Sequence, residues 1–176
     1  MSERHLLALG LSHKTAPVEQ REKAALAGAG ARGALRRLLD DVSVDEAVAL
    51  STCNRTEIYA ATADPASAER ALHGAIVENS RIDADELACA SYALRDERAV
   101  RQLFRVTSSL DSMVVGESEI QGQVKGAWEL AAEEGASGPL LNRLFQRALE
   151  VGKRVRTDTL LSSGPTSVPA VAVDMA

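Results

Sequence analysis

The sequence predicts an α+β fold, in which a small, mainly antiparallel sheet with packed helices is followed by a helical subdomain. Two observations support this prediction. In the first half of the chain, short apolar runs that end in polar or proline-containing turns are mixed with amphipathic segments. After Asp96, apolar residues recur at helical spacing instead. Strands and helices in this mixed order favour a mainly antiparallel sheet covered by helices.

The first half is predicted to contain four strands and three helices. Pro17 follows the first strand and its loop, at a position that favours the first turn of a helix. The second and third strands are joined by a turn that contains Cys53. The predicted strands are short apolar runs at residues 5–11, 46–51, 56–62 and 89–94. The predicted helices are amphipathic segments at residues 18–27, 31–41 and 65–80.

The second half is predicted to contain three helices, each with one apolar face. Asp96 is the candidate N-cap of the first helix, whose apolar face includes Leu103 and Phe104. Trp128 lies on the apolar face of the second helix, and Phe145 lies on that of the third.

These patterns divide the chain into an α+β part at residues 1–95 and a helical part at residues 96–160. Residues 162–165 (Ser-Ser-Gly-Pro) interrupt the last helix. The apolar stretch at residues 168–173 then indicates an element that the chain does not finish. We therefore expect residues 161–176 to begin a linker.

Composition limits the kind of protein that the chain forms. Of its 176 residues 45% are apolar but only 3% are aromatic, so we expect a core of alanine, leucine and valine. The net charge of −5 argues against a general polyanion binder. Cys53 and Cys89 have no zinc or CxxC spacing, which fits a reducing compartment. No apolar run approaches the ~20 residues of a membrane span, and no signal peptide is evident, so we expect a cytoplasmic protein.

Cys53 is a candidate nucleophile. It follows an apolar run and lies in the polar segment Ser51–Glu57, so the predicted strand would deliver its thiol to a surface or cleft. Arg55 and the backbone amides of the turn would stabilise the reactive thiolate there. The alternative is a small buried hydrophobe, which describes most free cysteines and is expected for Cys89. His13 would approach this turn if the first and third strands are neighbours.

Three other segments have a functional and a structural interpretation. Residues 28–33 match G-x-G-x-x-G, but they follow a predicted helix rather than a strand, so we interpret them as a helix break and not as a dinucleotide site. Residues 108–124 are either a capped connection between helices or a polar loop that binds a small ligand through groups such as Glu117. The basic stripe, residues 143–156, would contact RNA phosphates or, more commonly, face solvent.

Four ordered motifs resemble the glutamyl-tRNA reductase family, and the resemblance spans nearly the whole chain. The resemblance implies a catalytic N-terminal domain at residues 1–160, a linker from residue 161, and an NADPH-binding Rossmann domain beyond residue 176. It further implies that the last predicted helix is the start of a long connecting helix. A helical dimerisation domain, a homodimer and the downstream aminomutase as a partner are implied as well. The motifs are GLSHKTAP at residues 10–17, STCNRTE at 51–57, LFRV at 103–106 with LDSMVVGE at 110–117, and QGQVK at 121–125.

The resemblance also implies a reaction and a set of site residues. Members of the family reduce the ester of glutamyl-tRNA(Glu) with NADPH to glutamate-1-semialdehyde, on the route to 5-aminolevulinate and tetrapyrroles. Cys53 would attack that ester and form a thioester. Thr52, Asn54 and Arg55 would surround it, with Arg55 pairing with the glutamyl carboxylate. The remaining pocket residues would be Ser112, Glu117, Ser118, Glu119 and Gln123.

The chain departs from the family pattern at positions that matter for activity. Gln102 replaces a histidine that precedes LFRV, and glutamine hydrogen-bonds but takes no proton near neutral pH. Ser118 and Glu119 replace Pro-Gln, and residues 107–109 (Thr-Ser-Ser) replace Ala-Ser-Gly. If that histidine acts as a base, its loss typically costs ~10²–10⁴-fold in rate; if it only positions substrate, Gln102 would serve as the catalytic residue there. The changes together suggest a divergent paralogue. Alternatives are a regulatory homologue that binds tRNA or a partner without catalysis, and a thiol acyl-transferase for another aminoacyl ester.

Overall fold

The structure, a computed structural model, describes residues 3–26, 28–113 and 119–158. It confirms the α+β class. None of the helices in these three ranges has both the length and the apolar character needed to cross a membrane. In chain order the elements are β1 His5–Ser12, α1 Val18–Lys23, α2 Ala29–Leu39, β2 Glu46–Ser51, β3 Arg55–Thr62, α3 Pro65–Asn79, α4 Ala84–Ala90, β4 Tyr92–Arg95, α5 Glu97–Thr107, α6 Glu119–Glu133 and α7 Pro139–Asp158.

The sheet has the strand order β2-β3-β1-β4, and all three strand pairs are antiparallel. β1 and β3 are neighbours, with Leu9 opposite Ile58 and Ser12 opposite Arg55. This register brings the end of β1 beside the start of β3. The turn that contains Cys53 therefore lies next to the loop that follows β1.

One hydrophobic core spans both halves of the chain. Helices α2 and α3 pack against β2 and β1, while α5, α6 and α7 pack against β1, β2 and β3. Alanine and leucine are the commonest buried apolar residues, as the composition predicts, but valine contributes less than expected. The aromatic contact within this core is edge-on, between Tyr59 of β3 and Phe145 of α7, with ring centroids 5.6 Å apart. The helical half therefore completes the core of the sheet.

The first half differs from prediction mainly at four elements, α1, α2, α4 and β4. Helix α1 ends at Lys23 rather than at residue 27. Helix α2 begins at Ala29, so Gly30 and Gly33 lie inside a helix instead of breaking one; a Cβ at either would clash with Asn79, so glycine permits close packing there. The G-x-G-x-x-G segment thus follows a helix, α1, as we expected.

Helix α4 was not predicted, and β4 begins at Tyr92 rather than at residue 89. Asp83 caps α4 by accepting a hydrogen bond from the backbone of Glu86 at 2.8 Å, a signal that sequence analysis overlooked. Cys89 lies in this helix with an exposed side chain, so the expectation that it is a buried structural thiol was wrong.

Asp96 occupies the N-cap position of α5, but its carboxylate does not cap the helix. It accepts a hydrogen bond from the backbone amide of Leu6 at 3.0 Å, and it lies 3.2 Å from Nδ1 of His5. The predicted cap is therefore right in position and wrong in partner. Its side chain connects the start of α5 to β1.

Glu46, at the start of β2, connects the sheet to the helical half. Its buried carboxylate accepts hydrogen bonds from the backbone amides of Leu140 at 3.1 Å and Leu141 at 2.7 Å, at the start of α7. A Cβ at Gly138 would lie 2.6 Å from that carboxylate, so the close approach requires glycine. A carboxylate here satisfies amides that the helix leaves unpaired and also interacts favourably with the helix dipole.

We expect Glu46→Ala to lower the free energy of unfolding by about 2 kcal/mol, because it leaves two amides at the start of α7 without acceptors. Glu46→Gln should lose less, since the amide oxygen still accepts. The matched control is Glu129→Ala, which removes an exposed carboxylate paired with Lys125 at 3.4 Å. Urea unfolding measures all three, and equal losses for Glu46→Ala and Glu129→Ala would contradict the capping role.

Candidate active site

Cys53 lies in the turn between β2 and β3, and its side chain is exposed. The buried-hydrophobe alternative is therefore wrong for Cys53. The turn is closed by the backbone amide of Thr52, which donates to the carbonyl of Arg55 at 2.8 Å. The amide of Asn54 donates to Oγ1 of Thr52 at 3.2 Å. The thiol is thus presented to solvent from a hydrogen-bonded turn.

Two further elements hold this turn in place. Nη1 of Arg21, in α1, donates to the carbonyl oxygen of Cys53 at 2.8 Å and to Oδ1 of Asn54 at 3.2 Å. The backbone amide of His13, after β1, donates to the carbonyl of Asn54 at 2.9 Å. The structure therefore confirms that His13 approaches the Cys53 turn.

The environment of His13 favours its neutral form. Burial and the neighbouring charge of Arg55 lower the pKa of its imidazole, against an opposing effect of Asp111. Its Nδ1 is buried and has no hydrogen-bond partner within the described ranges. A neutral imidazole beside the turn is able to accept a proton at neutral pH.

Arg55 points into the protein, and its side chain is 1% exposed. Nη1 lies 3.0 Å from Oε1 of Glu57, and both terminal nitrogens lie 3.0 Å from Oδ2 of Asp111. Nη2 also donates to the backbone carbonyl of Asp111. Burial opposes the charge of the guanidinium, but Glu57, Tyr92 and Asp111 outweigh it and raise the pKa of Arg55. Its terminal nitrogens thus already contact protein carboxylates, and pairing of Arg55 with a ligand carboxylate stays a prediction.

Glu57 is fully buried and accepts four hydrogen bonds. The donors are Arg55, the hydroxyl of Tyr59 at 2.7 Å, the hydroxyl of Tyr92, and Nε2 of Gln102 at 2.8 Å. Burial and the Glu57 carboxylate raise the pKa values of both tyrosines, so their hydroxyls remain protonated donors.

Asp111 connects three segments of the chain. Besides Arg55 it contacts Nζ of Lys14, in the loop after β1, and lies 3.3 Å from Nε2 of Gln102, in α5. Burial would raise the pKa of Asp111, but Lys14 and Arg55 outweigh burial and lower it, so the carboxyl is ionised. Gln102 therefore donates to Glu57 and lies close to the carboxylate of Asp111. A neutral hydrogen-bond donor fits this position between two carboxylates.

A cleft of about 610 Å³ opens beside this network. Gln102 and Asp111 line it, as do Ser12 and Lys14 on either side of His13. Cys53 is not among the described lining residues, but its turn adjoins the cleft through the His13–Asn54 hydrogen bond.

Three arginines of α5 also line the cleft and were missed by the sequence analysis. They are Arg98, Arg101 and Arg105. The available signal was their spacing of three and four residues, which places them on one helical face together with Gln102. The prediction of α5 rested on its apolar residues alone, which give no information about its polar face.

The other predicted pocket residues are less closely connected to the cleft. Oγ of the half-buried Ser112 lies 3.1 Å from Oγ of Ser109. Glu119 begins α6 and is exposed, as is Gln123 one turn later. None of Ser112, Glu119 and Gln123 is among the described residues that line the cleft. Glu117, Ser118 and the predicted linker at residues 161–176 lie outside the described residues.

The basic stripe lies on α7, where several of its charges pair with neighbouring acids. Arg147 pairs with Glu150 at 2.7 Å, and Arg154 lies 4.0 Å from Asp158. Both arginines are largely exposed. Local pairing of this kind fits a solvent-facing helix.

Comparisons of this chain with known proteins all match it to one family. The family model "Glutamyl-tRNAGlu reductase, N-terminal domain" matches residues 9–159. A glutamyl-tRNA reductase of Rubrobacter xylanophilus is 51% identical over 95% of this chain and 39% of the relative. One from Stenotrophomonas maltophilia is 47% identical over 97% of this chain and 38% of the relative.

A solved structure agrees with these sequence matches. The glutamyl-tRNA reductase from Methanopyrus kandleri superposes with a TM-score of 0.78 at 36% identity. The match covers 97% of this chain and 39% of that protein. The chain therefore spans about two fifths of the length of the proteins it resembles.

Proposed function

The chain belongs to the family of glutamyl-tRNA reductase N-terminal domains, and we propose that it supplies the catalytic domain of an NADPH-dependent glutamyl-tRNA reductase. Cys53 attacks the glutamyl ester: sulfur bonds to the carbonyl carbon, the ester C–O bond breaks, and the tRNA hydroxyl leaves. The observation that most supports this proposal is the exposed thiol of Cys53 in a turn held by Arg21 and His13. A fixed turn keeps the nucleophile oriented toward a bound ester.

The proposed substrate is glutamyl-tRNA(Glu), and the product after reduction is glutamate-1-semialdehyde for tetrapyrrole synthesis. We propose that Thr52 and Asn54 lie beside the glutamyl group, together with Ser112, Glu119, Gln123, Glu117 and Ser118. The burial of Arg55 supports a different role for that residue, in which it holds Asp111 and Glu57 and so positions the turn. A homodimer, the downstream aminomutase as a partner and a cytoplasmic location complete the proposal.

The residues of this chain do not fit NADPH at the glycine motif. Gly30 and Gly33 lie inside α2 and pack on Asn79, whereas a dinucleotide site needs glycines in a turn after a strand. We propose, as the family resemblance implies, that NADPH binds residues beyond 176.

A regulatory homologue is the alternative function, and the observation that favours it is a glutamine at position 102, where the resemblance implies a histidine. The contacts of Gln102 favour catalysis, because its amide nitrogen donates to two carboxylates, and such a position needs a hydrogen-bond donor rather than a base. Glu119 does not decide between the two, since it is exposed and does not line the cleft within the described residues.

The test uses tRNA carrying a labelled glutamyl group, mixed with the protein without NADPH. We expect label trapped on the protein, or glutamate released above background, because the thioester either persists or hydrolyses. Cys53→Ser should reduce both signals to background. Cys89→Ser is the matched control, since it removes the other exposed thiol, and it should behave as wild type.

The outcomes separate the two functions. Equal label on wild type and Cys53→Ser would contradict the proposed nucleophile. No label and no release from wild type, with tRNA still bound, would favour the regulatory homologue.

A further inference from the structure

Helix α5 presents a row of arginines to the cleft. Arg98, Arg101 and Arg105 are all exposed and line the cleft on one side of the helix. The opposite side of α5, which includes Ala99 and Leu103, is buried in the core. We call Arg98, Arg101 and Arg105 the arginine face; its position is fixed because the rest of the helix is packed.

The arginine face has positive charge that the protein does not fully neutralise. Arg101 pairs with Glu97 at 2.6 Å, but Arg98 has no ion-pair partner within the described ranges. Arg105 lies 3.8 Å from Oδ1 of Asp111, beyond hydrogen-bond distance, and Lys14 and Arg55 already neutralise that carboxylate. A positive cleft in a chain of net charge −5 indicates a site for an anion.

We propose that the arginine face binds phosphates of the single-stranded 3′ end of the tRNA and directs its terminal ester toward Cys53; this rests on the proposed function. Arg98 and Arg105 are seven residues apart, ~10.5 Å along the helix axis, which spans about three stacked nucleotides at ~3.4 Å each. A single anionic group, such as a glutamyl carboxylate, would not need a row of this length.

The surroundings of the arginine face suit a single strand that carries an ester. The cleft continues from α5 to Ser12 and Lys14, which adjoin the Cys53 turn. Tyr92 also lines the cleft; it is half-buried, its hydroxyl donates to Glu57, and an unpaired base would pack against the part of its ring that faces the cleft. The basic stripe on α7 is the weaker candidate, because Arg147 and Arg154 pair with acids of the same helix.

The test compares binding of three RNAs: glutamyl-tRNA, uncharged tRNA, and tRNA that lacks its unpaired 3′ nucleotides. The variants are Arg98→Gln and Arg105→Gln, with Arg143→Gln as the control, which removes the same charge from an exposed position on α7. We expect each arginine-face variant to bind both intact tRNAs several-fold more weakly. The slope of log affinity against log salt should shrink by ~0.7 for each lost phosphate contact. The trimmed tRNA should bind wild type and variants alike.

Several results would overturn the inference. An equal loss with Arg143→Gln would indicate a general charge effect. A loss that persists with trimmed tRNA would place the contact elsewhere on the RNA, and a loss confined to glutamyl-tRNA would mean that the arginines bind the glutamyl carboxylate.

Activity separates this inference from the proposed function. Arg143→Gln should keep the wild-type dependence of Cys53-dependent glutamate release on tRNA concentration, whereas Arg98→Gln and Arg105→Gln should need several-fold more tRNA to reach half-maximal release. If wild type shows no Cys53-dependent release while binding still depends on Arg98 and on the 3′ end, the proposed function fails and the RNA contact stands.

Discussion

Arg55→Leu should lower the free energy of unfolding by about 3–5 kcal/mol, the largest loss of stability that we expect from a single substitution in this protein. The guanidinium is the cation between the buried carboxylates of Glu57 and Asp111. Its removal leaves two anions close together in a region with little water. Lys14 still contacts Asp111, but among the described residues no contact joins it to Glu57. Gln102 contacts both carboxylates, but it carries no charge.

Urea unfolding of Arg55→Leu measures this loss, and Arg101→Leu is the matched control. Arg101 is paired with an exposed glutamate on the same helix, a contact worth about 0.3–0.5 kcal/mol. Adding Asp111→Asn to Arg55→Leu removes one of the two uncompensated charges. The double variant should therefore be more stable than the sum of the single losses predicts. If the losses of Arg55→Leu and Asp111→Asn simply add in the double variant, Arg55 and Asp111 do not stabilise each other.

Arg55→Leu should also reduce the reaction at Cys53, because it disturbs the turn that holds the thiol. Arg55 begins β3 directly after the Cys53 turn, and its carbonyl accepts the amide that closes that turn. Release of the side chain would loosen the turn at its β3 end. At a temperature where Arg55→Leu remains folded, we expect its glutamate release to be lower than that of wild type even at saturating tRNA. Arg101→Leu should leave the turn intact.

The position of Cys53 in a turn after a strand was predictable from the sequence, but the direction in which the Arg55 side chain points was not. An apolar run followed by a polar cluster is local information; it predicted the strand and left two interpretations of the thiol, of which the structure supports the exposed one. The partner that buries Arg55 is Asp111, 56 residues further along the chain. No local pattern shows whether an arginine beside a candidate nucleophile faces a ligand or a buried carboxylate.

The same distinction explains the fold. Strands β1, β2 and β3 were predicted within about a residue at most ends, because apolar runs bounded by turns are local signals. The capping role of Glu46 could not be predicted, since a glutamate at the start of a strand gives no sign that it binds the start of a helix 94 residues away. Helix α4 could have been found from its Asp83 cap, which lies in the sequence itself.

The second large effect is expected at Gln102, where the structure distinguishes a donor from a base. Its amide nitrogen lies 2.8 Å from Oε1 of Glu57 and 3.3 Å from Oδ2 of Asp111. Gln102→Glu would place a third carboxylate against these two and remove the donor. We expect it to lower the free energy of unfolding by about 2–3 kcal/mol at pH 7 and to reduce glutamate release. The loss should shrink as the pH falls, because the introduced carboxyl becomes a donor when it is protonated.

Gln102→His is the informative comparison, because the resemblance to the family implies a histidine at this position. If the position needs only a donor, Gln102→His should release glutamate within a few-fold of wild type, and the pH profile should gain no step near the ordinary pKa of histidine, ~6.5. If the position needs a base, Gln102→His should accelerate release by ~10²–10⁴ and introduce such a step. The two hydrogen bonds to carboxylates favour the first result, since an imidazole that donates to buried anions is held protonated and is unavailable as a base. An acceleration on that scale would mean that the natural Gln102 limits catalysis by this chain. That result would favour the regulatory alternative.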